Sequence, residues 1–185
     1  MAGRYNRSTE RSGGRRRSAG PNGRIAAFID RDNTIIEDCP YCKSRDQVRL
    51  LKGAAAGIRK LNLNGILAIV LTNQSGIGRG YFTLEQMQEV NDEMRRQLGL
   101  EGAAIDAIYF CPHRPEDMCS CRKPATGLIE TARRDFNTTD EFVIGDREEI
   151  DGEMARRASL KYGIVGSKTL LDIVDEMLVL YRKDR

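Results

Sequence analysis

Short β-type runs alternate with helical patterns through most of this 185-residue chain, and no other feature constrains its fold as strongly. From residue 25 onward, the predicted strands cover residues 25–29, 66–71, 107–110, 142–144 and 162–165, and the predicted helices cover residues 53–64, 83–99, 125–136, 149–160 and 169–183. Strands separated by helices need crossover connections, which place the strands in parallel and the helices on both faces of the sheet. We therefore expect one α/β domain over residues 25–185, with ligands bound at the carboxyl ends of the strands.

The first 24 residues have a different composition. They contain seven arginines and a single acid, Glu10, so the segment carries about +6 and the rest of the chain about −3, within a net charge of +3. The segment is rich in Arg, Ser and Gly and has no hydrophobic period, which predicts a disordered arm. Such an arm can bind nucleic acid or acidic surfaces. We favour the plainer interpretation, a solvated tail or a misassigned start site.

The composition also limits the cellular context. No apolar run is long enough to span a membrane, and the charged, glycine-rich N-terminus does not resemble a signal peptide. Five cysteines without a secretory signal fit a reducing compartment and metal binding better than disulfides. We therefore expect a cytoplasmic protein that does not contact membranes, and a monomer.

Polar residues follow the first four predicted strands. Asp30 and Asp32 come directly after the first strand and Thr72 after the second; the third leads through a Cys- and His-containing loop to Lys123, and Asp146 lies just beyond the fourth. The alternation of side chains in a strand puts the two aspartates on one side and would point the intervening Arg31 to the other. Three carboxylates at one edge of the sheet form a hard oxygen site that suits Mg²⁺ and a phosphate group.

This set of residues can transfer a phosphoryl group. A carboxylate such as Asp30 can attack phosphorus and form an aspartyl-phosphate, and Asp32 can protonate the leaving oxygen and later activate water. Thr72 can hydrogen-bond the phosphoryl oxygens, and Lys123 can neutralise the charge that develops on them. Asp-x-Asp alone is a weak signal, but Asp-x-Asp-x-Thr followed in order by Thr-Asn, Lys-Pro and Gly-Asp is a strong one.

A second metal site is predicted by the spacing Cys-x-His-x5-Cys-x-Cys. Its members are Cys111, His113, Cys119 and Cys121, and His113 is the only histidine in the chain. Three thiolates and one imidazole are the ligands that tetrahedral Zn²⁺ prefers. Coincidental, reduced, buried cysteines are the alternative. Four protein ligands leave no position for water or substrate, so we expect a structural zinc that fixes the loop leading to Lys123.

The motifs together give the chain a family resemblance. Residues 28–34, 71–83, 111–124 and 143–147 resemble, in order, the motifs of haloacid dehalogenase (HAD) superfamily phosphatases. The chain is particularly similar to the D-glycero-D-manno-heptose-1,7-bisphosphate 7-phosphatases and their histidinol-phosphatase relatives. The resemblance covers roughly residues 25–166 and implies a Rossmann-like fold with a minimal cap, Mg²⁺ catalysis and a structural Zn²⁺.

The resemblance also implies roles for individual residues. Asp30 matches the nucleophile and Asp32 the acid/base; Asp30, Asp32 (through its backbone carbonyl) and Asp146 match the Mg²⁺ ligands. The zinc ligands match the four Cys and His residues named above. Positions that hold phosphate or substrate are matched by Thr72, Asn73, Gln74, Ser75, Arg122, Lys123 and Arg147, and the loop that contacts the sugar phosphate by Asp38, Cys39, Pro40 and Tyr41.

Three positions depart from the family pattern. Asn33 replaces the usual glycine, and an asparagine tolerates the left-handed backbone expected there. Asp151 comes one position later than usual, so either Asp151 or Glu149 could support the magnesium site. Cys39 and Cys42 are an unusual pair; a second metal or redox activity is conceivable, and we expect two reduced thiols.

The sequence thus predicts a Mg²⁺-dependent phosphatase for a small phosphorylated metabolite, with a heptose bisphosphate or related sugar phosphate as first choice. Histidinol phosphate is the nearest alternative substrate. A polynucleotide 3′-phosphatase, aided by the basic arm, is less favoured because the catalytic domain has no basic stripe and few aromatic residues for stacking bases. A non-enzymatic zinc-binding module would not need a complete nucleophile, acid/base and metal set.

Overall fold

A six-stranded sheet forms the centre of the molecule. The computed structural model describes residues 3–5 and 23–183, and the strands lie in the order β1-β4-β3-β2-β5-β6. The strands are β1 (Gly3–Tyr5), β2 (Arg24–Ile29), β3 (Leu67–Asn73), β4 (Ala107–Cys111), β5 (Thr138–Gly145) and β6 (Lys161–Ile164). The helices are α1 (Ala54–Leu63), α2 (Ser75–Gly78), α3 (Leu84–Leu100), α4 (Gly127–Phe136), α5 (Glu153–Arg157) and α6 (Leu170–Lys183).

Strands β2 to β6 are parallel, as the alternating pattern predicts. Alternate residues of one strand face opposite sides: Ala27 and Ile29 of β2 join one core cluster, and Ala26 and Phe28 join the other. Helices α1, α3 and α6 contribute to the first cluster, and α4 and α5 contribute to the second. The sheet is therefore covered on both faces, and its active edge lies where the parallel strands end.

The segment expected to be a disordered arm contributes to the sheet at both of its ends. Gly3–Tyr5 forms β1, which pairs antiparallel with the edge strand β4, and Arg24 already belongs to β2. An unpaired edge strand offers a row of N–H and C=O groups that a short extended segment can satisfy. Residues 6–22 of the predicted arm lie outside the described residues.

One helical prediction needs correction. The helix predicted over 149–160 is a π-helical turn, Glu148–Gly152, followed by the short α5. The helix predicted over 83–99 is present as α3. It begins with a capping box, since Thr83 Oγ1 accepts from Gln86 N at 3.2 Å and Gln86 Oε1 accepts from Thr83 N at 2.8 Å.

The expected minimal cap agrees with the course of the chain between β2 and α1. Residues 30–53 hold one 3₁₀ turn, Arg45–Gln47, and add no strand to the sheet. This segment supplies a loop at the active edge rather than a separate domain. Among the described residues, no helix is long and apolar enough to cross a membrane.

Candidate active site

The carboxyl ends of β2, β3, β4 and β5 bring the predicted polar residues to one edge. The Asp30 N–H donates to Ile144 O at 2.9 Å and so extends the β2–β5 ladder by one residue. In β3 and β4, Asn73 lies beside Cys111 in the parallel register. The residues that follow these strands are neighbours because the strands are parallel and adjacent.

Three carboxylates and one ammonium form the centre of the site. One carboxylate oxygen from each of Asp30, Asp146 and Asp151 lies within 4.8 Å of the others. The Lys123 Nζ donates to Asp30 Oδ1 at 2.6 Å and to Asp151 Oδ1 at 2.7 Å. Lys123 and Asp151 are buried. Because three carboxylates face a single ammonium, the cluster carries an excess of negative charge that a divalent cation can balance.

The pKa values of Asp30, Asp146 and Lys123 are all shifted by burial and by the neighbouring charges of this cluster. Burial raises the pKa of Asp30 to about 7; Lys123 opposes the rise, and the charges of Asp151 and Asp32 add to it. Burial also raises the pKa of Asp146, with help from Asp151. Burial alone would lower the pKa of Lys123, but the carboxylates of Asp30 and Asp151 outweigh it and raise the value.

Of the two acids that could support this cluster, Asp151 is the one the structure places there. The extra residue before Asp151 is taken up by the π-helical turn, in which the Arg147 carbonyl accepts from Asp151 N at 2.7 Å. Gly145 makes room for the carboxylate, since a Cβ at that position would lie 2.2 Å from Asp151 Cγ. Glu149 points away, is exposed and pairs with Arg147, whose Nε lies 2.8 Å from Glu149 Oε1. Arg147, predicted to bind substrate, is exposed and held by this ion pair.

Asp32 is surrounded by donors. Gln74 Nε2 lies 2.9 Å from Asp32 Oδ2, and the Thr72 hydroxyl lies 3.4 Å from the same oxygen. The expectation that Arg31 points to the opposite side is wrong, because the Arg31 Nη2 donates to Asp32 Oδ1 at 2.9 Å. The strand ends at Ile29, so strand alternation no longer directs these side chains, and the long arginine folds back onto its neighbour.

The side chains of residues 73–75 have different partners. Asn73 uses both ends of its amide on the Lys123 backbone: its Oδ1 accepts from Lys123 N at 3.0 Å and its Nδ2 donates to Lys123 O at 3.1 Å. Gln74 is buried and also reaches Thr72 Oγ1 at 2.8 Å. Ser75 begins α2 and is half-buried. Asn73 therefore contacts Lys123, and Gln74 contacts Asp32 and Thr72.

The loop predicted to contact the sugar phosphate is closed by a disulfide. The two thiols expected to be reduced, Cys39 and Cys42, are bonded, with their Cα atoms 5.2 Å apart. Cys42 N donates to Cys39 O at 3.0 Å across a tight turn, which brings the sulfurs within bonding distance. Tyr41 has a positive φ of 56° in this turn and packs edge-on against Tyr81, with ring centroids 4.6 Å apart. Asp38 and Tyr41 are both exposed.

The predicted Cys/His cluster comes together as a compact group. His113 Nδ1 lies 3.2 Å from Cys121 Sγ and 3.5 Å from Cys111 Sγ, and the three sulfurs lie 3.4–3.5 Å apart. A tetrahedral ion bound at about 2.3 Å from each sulfur would place the sulfurs about 3.8 Å apart. The three cysteines are free of disulfides. The cluster therefore has the ligands and nearly the spacing of a tetrahedral metal site.

The Cys/His loop contacts the active edge directly. The Gln74 N–H donates to Cys111 O at 2.7 Å, and the Gly78 N–H donates to Pro112 O at 3.0 Å. Gly78 permits this approach, since a Cβ there would lie 2.6 Å from Pro112 O. Arg122, predicted to bind substrate, is half-buried and its Nη1 lies 3.4 Å from His113 O. The loop thus joins the Cys/His cluster to the residues beside Asp32 and Lys123.

Sequence reasoning missed two contacts in the site. It did not foresee that Arg31 holds Asp32, or that Asn33 acts on Asp146, where a hydrogen bond from the asparagine side chain lowers the aspartate pKa against the larger effect of burial. The left-handed backbone expected for Asn33 is present, with φ at 56°. Both residues are adjacent to Asp32 in the sequence, which was the one signal available; which aspartate each side chain contacts depends on the geometry of the turn.

Comparison with known proteins agrees with this geometry. Residues 24–160 match the family model described as polynucleotide kinase 3 phosphatase. A Thermoplasma volcanium protein named "Probable D-glycero-D-manno-heptose-1,7-bisphosphate 7-phosphatase" is 46% identical over 140 residues, which cover 75% of this chain and 96% of that protein. The Haemophilus ducreyi D-glycero-beta-D-manno-heptose-1,7-bisphosphate 7-phosphatase is 36% identical over 136 residues, or 69% of this chain and 75% of that protein.

A solved structure shares the fold. The D,D-heptose 1,7-bisphosphate phosphatase from B. bronchiseptica, complexed with magnesium and phosphate, has a TM-score of 0.70 and 24% identity, covering 84% of this chain and 99% of that one. The sheet flanked by helices is therefore the HAD-like phosphatase architecture. On the sequence and family matches, the chain belongs to the HAD-type phosphatases, phosphoric monoester hydrolases, in the group that includes the D-glycero-D-manno-heptose-1,7-bisphosphate 7-phosphatases.

Proposed function

We propose that this protein hydrolyses the 7-phosphate of D-glycero-D-manno-heptose 1,7-bisphosphate through an aspartyl-phosphate on Asp30. The observation that carries the chemistry is the position of Lys123, whose Nζ lies within 2.7 Å of both Asp30 and Asp151 beside the Asp146 carboxylate. A nucleophile, a cation for the phosphoryl oxygens and a metal-binding set meet at one point. Relatives 36–46% identical with that substrate in their names support the choice of sugar.

In the first step, an Asp30 carboxylate oxygen attacks phosphorus as the bond from phosphorus to the sugar oxygen breaks. Asp32 donates a proton to the departing oxygen, which leaves as an alcohol. In the second step, Asp32 takes a proton from water, the water oxygen bonds to phosphorus, and the bond to Asp30 breaks. Inorganic phosphate is released and Asp30 is restored. Lys123 neutralises charge on the phosphoryl oxygens, and the role we assign to Thr72 is to donate a hydrogen bond to them.

The donor set at the sheet edge fits Mg²⁺. Asp30, Asp146 and the Asp32 backbone carbonyl would hold the ion, and Asp151 would support it beside Lys123. All of these donors are oxygens, and the excess of carboxylates over ammonium supplies the negative charge that a hard cation requires. Bound Mg²⁺ would neutralise phosphate charge and keep Asp30 ionised for attack.

The Cys111, His113, Cys119 and Cys121 cluster would hold Zn²⁺. Its sulfur and nitrogen donors suit zinc, and four protein ligands close the coordination shell. The role we assign to this ion is structural. Cys121 stands two residues before Lys123, so the metal would fix the loop that delivers the lysine.

The loop from Asp38 to Tyr41, together with Arg122 and Arg147, would bind the sugar phosphate outside the catalytic centre. Tyr41 and Tyr81 offer an exposed aromatic surface on two adjacent loops. Ser75, at the start of α2 and half-buried, would add a hydroxyl for the substrate.

A phosphate-release screen tests the proposal. The full chain is assayed with and without Mg²⁺ on heptose 1,7-bisphosphate, histidinol phosphate and a 3′-phosphorylated oligonucleotide. We expect Mg²⁺-dependent release from the heptose bisphosphate at the highest kcat/KM, and none from the Asp30→Asn variant. A preference for either of the other substrates would overturn the choice of sugar while leaving the chemistry in place.

The polynucleotide substrate has one specific observation in its favour, the family model that matches residues 24–160. The arginines of residues 1–24 could add affinity for a phosphate backbone. Deletion of residues 1–22 would also remove β1, so the cleaner test is replacement of the arginines at 7, 11, 15, 16 and 17 by serine. A loss of oligonucleotide cleavage, with sugar bisphosphate cleavage unchanged, would support the nucleic-acid role.

A further inference from the structure

Arg31 is a buried charge that the mechanism above does not use. Its side chain is 2% exposed although it lies between the proposed nucleophile and the proposed acid/base. Burying a guanidinium is costly unless its N–H groups find acceptors. The partners of Arg31 therefore indicate what its burial achieves.

The guanidinium spans the Asp32 carboxylate. Its Nε lies 3.2 Å from Asp32 Oδ1, and its Nη2 lies 2.9 Å from Oδ1 and 3.1 Å from Oδ2. A planar fork of this kind fixes the orientation of a carboxylate as well as its position. The Asp32 side chain is 29% exposed, so the carboxylate is held by the buried guanidinium and remains accessible to solvent.

The remaining nitrogen of Arg31 is anchored to a helix. Arg31 Nη1 donates to Asn91 Oδ1 at 3.1 Å, and Asn91 is fully buried in α3. Asn91 Nδ2 in turn lies 2.8 Å from Met87 Sδ, one turn earlier in the same helix. A chain of contacts thus runs from the interior face of α3 through Asn91 and Arg31 to Asp32.

A second set of donors holds Asp32 from the side of β3. Gln74 Nε2 lies 2.9 Å from Oδ2, and Thr72 Oγ1 lies 3.4 Å from it. With donors from two elements on its oxygens, the carboxylate has little freedom to rotate. Proton transfer to a leaving oxygen needs the acid within hydrogen-bond reach of that oxygen, and an error of about 1 Å can cost about 100-fold in rate.

We propose that Arg31, anchored by Asn91, is a positioning residue that fixes the Asp32 carboxylate for proton transfer to the leaving group. The proposal rests on the proposed phosphatase function, in which Asp32 is the acid/base. It assigns a part in catalysis to Asn91, a residue of the helix interior. It also implies that replacing Arg31 lowers kcat/KM most for substrates whose leaving group needs a proton.

The test compares kcat/KM for two substrates with Mg²⁺ present. Heptose bisphosphate releases a basic alkoxide that needs a proton, whereas p-nitrophenyl phosphate releases a stable phenolate that does not. Because kcat/KM reports only on steps through the first irreversible one, it isolates proton donation to the leaving group. For Arg31→Lys, we expect a loss of about 10- to 100-fold with heptose bisphosphate and less than about 5-fold with p-nitrophenyl phosphate.

Arg133→Lys is the matched control. Arg133 forks onto the buried Glu141, with Nε 2.8 Å and Nη2 2.6 Å from Oε2, outside the catalytic cluster. This variant should leave the ratio of the two kcat/KM values unchanged. If Arg31→Lys does not fold, as judged by circular dichroism, Asn91→Leu removes the anchor while Arg31 stays. It should shift the ratio in the same direction by a smaller factor.

An equal loss on both substrates in a folded Arg31→Lys protein would overturn the positioning role, because it would reflect general disturbance of the site. An unchanged ratio of the two kcat/KM values in Asn91→Leu would show that Asn91 has no part in positioning Asp32. If the wild-type protein hydrolyses neither substrate, the proposed function fails instead. The two failures are therefore distinguishable.

Discussion

Asn73 holds the backbone of Lys123 at both of its polar atoms. The amide oxygen of Asn73 accepts from Lys123 N at 3.0 Å, and its nitrogen donates to Lys123 O at 3.1 Å. Asn73 is the last residue of β3, so the lysine is fixed directly to the central sheet. From this anchored backbone, the Lys123 side chain extends to Asp30 and Asp151, so the Asn73 contact adds to the loop in fixing the ammonium.

Replacing Asn73 should therefore disturb Lys123 more than it disturbs the fold. For Asn73→Ala, we expect kcat to fall by about 10- to 100-fold, since a displaced cation no longer meets the phosphoryl oxygens. Loss of two hydrogen bonds should lower the free energy of unfolding by about 1–3 kcal/mol. Steady-state kinetics and urea unfolding measure the two effects.

Asn62 provides the matched control. Its side chain holds Ala104 in the same way, accepting from Ala104 N at 2.8 Å and donating to Ala104 O at 3.0 Å, between α1 and the segment before β4. Asn62→Ala should lose a similar amount of stability and keep its kcat. Equal kinetic losses in both variants would show that the Asn73 contact serves stability alone.

Asp151 and Glu149 should differ sharply in their importance. Asp151→Asn removes a charge 2.7 Å from Lys123 Nζ, so the Mg²⁺ concentration for half-maximal activity should rise by about 10- to 100-fold. Glu149→Gln should change it little, because Glu149 is exposed and faces Arg147. A Mg²⁺ titration of activity measures both variants, and a stronger effect of Glu149→Gln would contradict the assignment.

The effect of Mg²⁺ on stability should depend on pH. Burial raises the pKa of Asp30 from 3.8 to about 7, so the folded, metal-free protein keeps a proton that the unfolded chain loses. The contribution of Asp30 to metal-free stability is therefore greatest at low pH and declines as pH rises from about 4 to about 7. Mg²⁺ binds the ionised carboxylate without displacing a proton only at the upper end of this range.

We therefore expect Mg²⁺ to raise Tm more at about pH 8 than at about pH 5. Thermal unfolding with and without Mg²⁺ at both pH values measures the difference. Asp30→Asn has no charge to titrate at this position and should show a smaller difference between the two pH values. The same increase in Tm at both pH values in the wild-type protein would argue against Asp30 as a ligand.

The Cys/His cluster should be needed for the placement of Lys123. Cys121→Ser is expected to lose bound zinc, lower Tm and reduce kcat, because the loop of residues 111–123 would lose its anchor. Cys42→Ser, which breaks only the Cys39–Cys42 disulfide, should keep its zinc content. Metal analysis and kinetics of the two variants separate the roles. Full activity and unchanged Tm in zinc-free Cys121→Ser would refute the structural role.

The sequence predicted the sheet and the edge at which the site lies because hydrophobic runs and their polar ends are local signals. The five parallel strands, two of the three clustered carboxylates (Asp30 and Asp146) and the Cys/His cluster all came from such signals; the Asp32 carboxylate, predicted to join them, faces Arg31 and Gln74 instead. Asp151 could not be chosen over Glu149, because a one-residue shift is resolved only by the π-helical turn that absorbs it. The direction of the Arg31 side chain could not be predicted from strand alternation either, because Arg31 lies beyond the end of β2 and folds back onto Asp32.

The contacts of the first residues and of the cysteine pair depended on tertiary structure. Gly3–Tyr5 has no hydrophobic period, and it pairs because β4 offers an open edge. Cys39 and Cys42 bond because the turn through Pro40 and Tyr41 brings them together. The composition predicted reduced thiols, but the turn brings the two sulfurs close enough to form a disulfide.

The central claim is that Asp30 carries the phosphoryl group during turnover. The most direct measurement uses the Asp32→Asn variant, which should transfer phosphate from p-nitrophenyl phosphate but activate water poorly. After a brief reaction with Mg²⁺ and an acid quench, mass spectrometry of the digested protein should find phosphate on the peptide that contains Asp30, and none in the Asp30→Asn,Asp32→Asn double variant. Phosphate on another residue, or an unmodified chain during a burst of p-nitrophenol, would contradict the account.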